Sequence, residues 1–87
     1  MGIVWDREKE ERLRRERGSE LREVAELIEE RRYRDILENP SRPGQYIFVL
    51  PYRGYTHIVP FVLDGDDIVL KTVFPSRRFH RQYGAQP

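Results

Sequence analysis

Apolar residues along this chain change their spacing several times, and each change marks an element. Ile3-Val4-Trp5 is a short apolar run, read as a brief first strand. From Arg7 to Arg17 the chain is almost continuously charged, and only Leu13 interrupts. Glu8 and Arg12, Glu10 and Arg14, and Glu11 and Arg15 stand in the favoured i,i+4 order. The pattern predicts a helix capped by Asp6, running through Arg17, with most of its surface solvated. Gly18 suits the left-handed residue that closes it, and Ser19 is placed as the cap of the next helix. Leu21, Val24, Ala25, Leu27 and Ile28 recur at helical spacing and give that second helix a core face to about Arg31. Residues 33–37 fit either a helix tail or a short strand.

Asn39-Pro40-Ser41-Arg42-Pro43-Gly44 is a loop by its Pro and Gly content. Three strands are predicted beyond it. Gln45 to Leu50 is apolar on both faces, as a central strand would be. Pro51 through Gly54 is read as a turn. Tyr55 to Leu63 carries Pro60, which lacks a ladder N–H and points to an edge or a bulge. Asp64-Gly65 signals a hairpin into a last strand from Asp67 to Phe74. Ser76 then caps a short terminal helix ending near Tyr83, with Gly84 as its stop. The expected fold is α+β, a β-α-α-β-β-β-α order with two N-terminal helices packed on a small antiparallel sheet.

The chain has 87 residues, the size of one domain spanning 1–87, with no repeat or linker. The absence of cysteine removes disulfides, thiolate metal ligands and a cysteine nucleophile. No apolar stretch approaches the roughly 18 residues that span a bilayer. Met1 to Arg15 has no apolar signal region, so the expectation is a cytoplasmic protein without a membrane partner. The formal net charge of +1 conceals an asymmetry. Residues 1–38 hold ten Lys/Arg against twelve Asp/Glu, whereas residues 39–87 hold six against three. After Asp67 no acidic side chain occurs, while Lys71, Arg77, Arg78 and Arg81 follow. That is the footprint of a site for phosphate or an acidic partner.

Arg77 and Arg78 fall in the first turn of the terminal helix, where cations oppose the dipole, and a bound phosphate would account for them. Arg77 is the candidate phosphate clamp, with Lys71, His80 and Tyr83 as candidate catalytic assistants. Arg78, Arg81 and the hairpin-tip Arg53 are candidate RNA contacts. Tyr52, Tyr55 or Tyr83 has the ring to stack a base. His57, in a strand, is read as structural. Asp64, Asp66 and Asp67 shape a turn, and no His pair has ligand spacing, so neither a metal site nor a cofactor is expected.

Trp5-Asp6 followed by Lys9, Arg17-Gly18 before the second helix, Leu21 with Glu23, and Ser76-Arg77 after an apolar strand together resemble BrnT-like toxins. These are toxin halves of bacterial type II toxin–antitoxin pairs, with a fold similar to the RelE superfamily of ribonucleases. The resemblance spans nearly the whole chain in order. It implies a compact toxin that cleaves RNA and is silenced by a cognate antitoxin protein, and the lack of a metal-ligand pattern makes a metal-independent endoribonuclease the expectation. By position Trp5, Lys9 and Gly18 match the family's N-terminal pattern and Arg77 its terminal arginine, and Lys9 and Arg17 are further candidate RNA contacts. The family's histidine before the glycine is Arg17 here, and its His-Thr pair leaving the middle strand falls at about Leu63-Asp64. Two other readings remain on this scaffold: a non-catalytic module whose basic face holds an acidic protein, and a plain RNA-binding domain.

Overall fold

The early charged segment folds as predicted, and a computed structural model describes residues 2–84. Strand β1 (Ile3–Trp5) leads into α1 (Arg7–Arg17), where the Asp6 carboxylate accepts the Glu8 N–H at 2.9 Å. Gly18 closes α1 at φ 68°, a conformation that glycine adopts without a Cβ penalty. Helix α2 (Leu21–Glu29) ends two residues before the expected Arg31, and Arg31 itself takes the left-handed turn at φ 58°. Its cap differs from the expectation. Glu20, not Ser19, is the N-cap, and its side chain makes no cap bond because the carboxylate is drawn to Arg14 Nε at 2.9 Å. The Glu20 N–H is instead satisfied by the Tyr52 hydroxyl at 3.0 Å.

The ambiguous stretch is a strand, β2 (Asp35–Glu38). It is followed by β3 (Tyr46–Tyr52), β4 (Tyr55–Asp64), β5 (Asp67–Leu70), β6 (Phe74–Pro75) and α3 (Arg77–Tyr83). Pro51 lies in β3 rather than in a turn. The turn is the two residues Arg53 and Gly54, both left-handed at φ 53° and 78°, the geometry that matches strand twist in a tight hairpin.

The expected antiparallel sheet is a mixed, six-stranded one. Its order is β1-β5-β4-β3-β2, with β6 beside β4. The parallel element is β1 on β5, Ile3 opposite Ile68 through Trp5 opposite Leu70. The last predicted strand is two strands with a break at Lys71-Thr72-Val73. Pro60 explains the break. It sits in the central strand β4, and its carbonyl accepts the Lys71 N–H at 2.8 Å. A strand residue's N–H and C=O point to the same side, so the donor that Pro60 lacks faces the break, where no regular ladder needs it.

Alternation in β3 and β4 gives the sheet two faces. One carries Phe48, Leu50, Tyr52, Val59 and Phe61 under Leu13, Leu21, Val24, Ala25 and Ile28 of the two N-terminal helices. The other carries Ile47, Val49 and Ile58, with Phe79 and Tyr83 of α3 packed on them. Among the described residues no helix is long and apolar enough to cross a membrane.

Candidate functional site

The break between β5 and β6 is where both layers of helix reach one edge of the sheet. α1 runs along it. The Arg17 Nη1 donates to the Val73 carbonyl at 3.1 Å, occupying a backbone acceptor that the broken ladder leaves open. Three depressions meet there, and Phe74 lines all of them. The first holds Arg17, Ser19 and His57. The second, about 490 Å³, holds Lys9, Asn39, Arg42, Gln45, Lys71 and Thr72. The third runs under α3 past Ser76, Arg78 and Gln82. Among the described residues Glu38 is the one carboxylate lining the three.

His57 has a defined tautomer in this groove. Its Nδ1 lies 2.9 Å from the Tyr55 carbonyl oxygen, which only accepts, so Nδ1 carries the hydrogen. In the neutral ring Nε2 then keeps its lone pair, and it has no hydrogen-bond partner among the described residues. The edge of the Tyr52 ring, 5.1 Å between centroids, holds the imidazole from the side. The ring is 9 % exposed, so it is fixed by packing yet still reaches the groove. Ser19, expected as a helix cap, is buried and lines the same depression as the exposed Arg17.

The predicted site residues separate into two groups. Lys9, Arg17, Lys71 and Arg78 line the groove. Lys71 is in the break rather than on a strand face, and is exposed. Arg77 and Arg81 are exposed on α3, line none of the three depressions, and form no ion pair among the described residues. α3 has only seven residues. The other expected residues are tied down. His80 Nδ1 takes the Thr56 hydroxyl at 3.0 Å and faces the Thr56 N–H at 3.3 Å, and its ring stacks on Tyr55 at 3.9 Å. The Tyr83 hydroxyl donates to Asp35 Oδ2 at 2.9 Å, and this carboxylate neighbour holds the phenol above its usual range. Arg53 donates to the Gly18 carbonyl at 2.6 Å and to Glu23 at 3.0 Å, fastening the β3–β4 hairpin to the start of α2. The Glu23 bond keeps its guanidinium protonated beyond the ordinary range.

The residues that sequence reasoning passed over are His57, Ser19, Asn39, Arg42, Gln45 and Phe74. Among the described residues no three His, Asp or Glu side chains converge as a metal-ligand set. No family model, curated protein or solved structure matches this chain.

Proposed function

We propose that the chain is a metal-independent endoribonuclease of the kind its sequence resembles, a small RelE-like toxin held silent by a partner antitoxin. In this reading, single-stranded RNA lies in the groove around Phe74, and the 2′-hydroxyl of the strand is the nucleophile. The observation that carries it is the His57 Nε2 lone pair, fixed by the Nδ1–H bond to Tyr55, in the same depression as the Arg17 guanidinium. Such a nitrogen is a general base. It takes the 2′-hydroxyl proton, the 2′-oxygen bonds to the adjacent phosphorus, and the bond to the 5′-oxygen breaks. The products are a 2′,3′-cyclic phosphate and a 5′-hydroxyl, with water supplying the proton to the leaving oxygen. Arg17 is anchored through Nη1, and its remaining donors stabilise the charge on the pentacoordinate phosphate. The Phe74 ring offers a stacking surface, and the surrounding cations hold the backbone. Two N-terminal helices on one face of the sheet, and a terminal helix on the other, support the RelE-like part of the reading.

The test is single-stranded RNA incubated with pure protein in the presence of EDTA. Wild type is expected to yield fragments with cyclic phosphate ends and to leave the same sequence in DNA intact. His57→Ala should lower the rate by roughly 10²–10⁴ while keeping RNA affinity. Cleavage by His57→Ala at the wild-type rate would remove His57 from the chemistry. Arg77→Ala run alongside decides whether the terminal helix also contributes. Induced expression should arrest growth for wild type and not for His57→Ala. The engagement of His80 and Tyr83 favours a second reading, a binder without catalysis, in which RNA is held and never cut.

A further inference from the structure

The depression between α1, the 39–45 loop and the strand break presents one sign of charge among the described residues. Lys9 comes from α1, Arg42 from the loop and Lys71 from the break, so three separate segments deliver cations to one cleft. None of the three forms an ion pair among the described residues, although the chain has 15 Asp and Glu. Among the described residues no carboxylate lines the cleft.

The neutral groups point the same way. Asn39 Oδ1 accepts the Ser41 N–H at 3.1 Å, which fixes the Asn39 amide orientation. Its Nδ2 then donates to Gln45 Oε1 at 2.7 Å. Gln45 Oε1 is thereby turned toward Asn39, which leaves the Nε2 hydrogens on the other side of the amide. A loop of Pro and Gly residues thus carries an oriented amide donor, beside the Thr72 hydroxyl. Three cations and an amide donor, with no described carboxylate beside them, match a ligand that is all acceptor. Phosphate has more acceptor oxygens than a carboxylate, and lysine and arginine donors are the groups that hold it.

We infer that this cleft is a phosphate-binding subsite. Its place follows from Phe74, which also lines the depression holding His57 and Arg17. On the ribonuclease reading above, the subsite takes a phosphodiester next to the one that is cut. It therefore sets how the strand is registered against His57, while Gln45 aligns the group without adding charge.

The probe is a short oligouridylate, titrated at several salt concentrations against protein carrying His57→Ala so that it is not consumed. For single strands the logarithm of affinity falls with the logarithm of salt by about 0.7 per phosphate neutralised. Lys71→Ala and Lys9→Ala should each lower that slope by about 0.7. Gln45→Ala should weaken binding at every salt concentration and leave the slope and the melting temperature unchanged, which a merely structural role would not do. In parallel, inorganic phosphate is titrated while the Thr72 amide and the Gln45 side-chain amide are followed by NMR. RNA binding with slopes unchanged in both lysine variants overturns the subsite and leaves the ribonuclease reading standing. Phosphate-induced shifts at Thr72 and Gln45 with no RNA binding keep the subsite and overturn the RNA reading. No response to either probe overturns both.

Discussion

Tyr52→Phe isolates one hydroxyl at the joint that fixes Arg17, Gly18 and Ser19 beside His57. The ring is 3 % exposed. Its hydroxyl accepts the Glu20 N–H at 3.0 Å and donates to Glu23 Oε1 at 3.2 Å. α2 has no side-chain cap, so this is the bond that satisfies its cap N–H. The Glu23 carboxylate is exposed and also held by Arg53, so its share is small. Leaving a half-buried donor unpaired costs about 1–2 kcal/mol. A domain of this size loses roughly 4–8 °C of melting temperature per kcal/mol, so a fall of roughly 4–16 °C is expected. The phenylalanine ring keeps the edge contact with His57, so activity at permissive temperature should survive. The deficit also depends on pH. Burial raises the Tyr52 phenol above its ordinary value, so the native state keeps its proton after the unfolded chain has lost it. The wild-type advantage is therefore complete below about pH 10 and drains as pH rises through the folded value. Calorimetry at neutral pH and above pH 10 should show the gap between the two proteins narrowing. An unchanged melting temperature at neutral pH would mean that water caps α2 as well as Tyr52 does, and the joint would not be the source of rigidity.

Leu13→Ala removes the one buried side chain of α1, and a core truncation of this kind costs about 2–4 kcal/mol, read by urea denaturation. If α1 is held by its charge pairs instead, the loss will fall well below that range. Gly18→Ala places a Cβ at φ 68° in otherwise open space, so the cost is conformational, about 1–2 kcal/mol. Arg31→Gly relieves the same conformation at φ 58° and should raise stability by roughly 0.5 kcal/mol, a thermal shift of opposite sign to Gly18→Ala.

Local signals carried the helices. The Asp6 cap, the left-handed Gly18, the apolar stripe from Leu21 to Ile28 and the Ser76 cap each lie within one turn of what they control, and each is found as read. Ser19 fails as a cap because Glu20 competes, and its carboxylate is claimed by Arg14 from the preceding helix. Nothing in the three residues Ile3-Val4-Trp5 states direction, so their parallel pairing with Ile68 to Leu70 was not legible. The split of the last strand was equally hidden, since residues 67–74 contain no breaker of their own. At the site, the charges of Lys9, Arg17 and Lys71 were visible, but their meeting was not. His80 and Tyr83 looked available because their partners, Thr56 and Asp35, are distant in sequence. His57 looked structural because it alternates with core residues, and the Nδ1 bond that makes its other nitrogen an acceptor exists only once β4 has formed.

A single missing donor links the fold to the groove. Pro60 is tolerated in a central strand because the neighbouring strand parts opposite it. Once parted, the chain from Lys71 to Val73 has backbone groups that the ladder no longer serves. Pro60 itself takes one, the Lys71 N–H, and Arg17 takes another, the Val73 carbonyl. Arg17 is thereby pinned beside His57, and the Lys71 side chain is turned out of the sheet into the cleft with Lys9. The same irregularity that a continuous strand would remove is what brings the cations to one edge. Restoring regularity should therefore be harmful to function even where it stabilises the sheet. Pro60→Val supplies the missing N–H and a good strand residue. If the break positions the groove, this variant will fold with unchanged or higher melting temperature and bind oligouridylate with a shallower salt dependence. If its salt dependence matches wild type, the break is incidental, and the cations are placed by α1 and the loop alone.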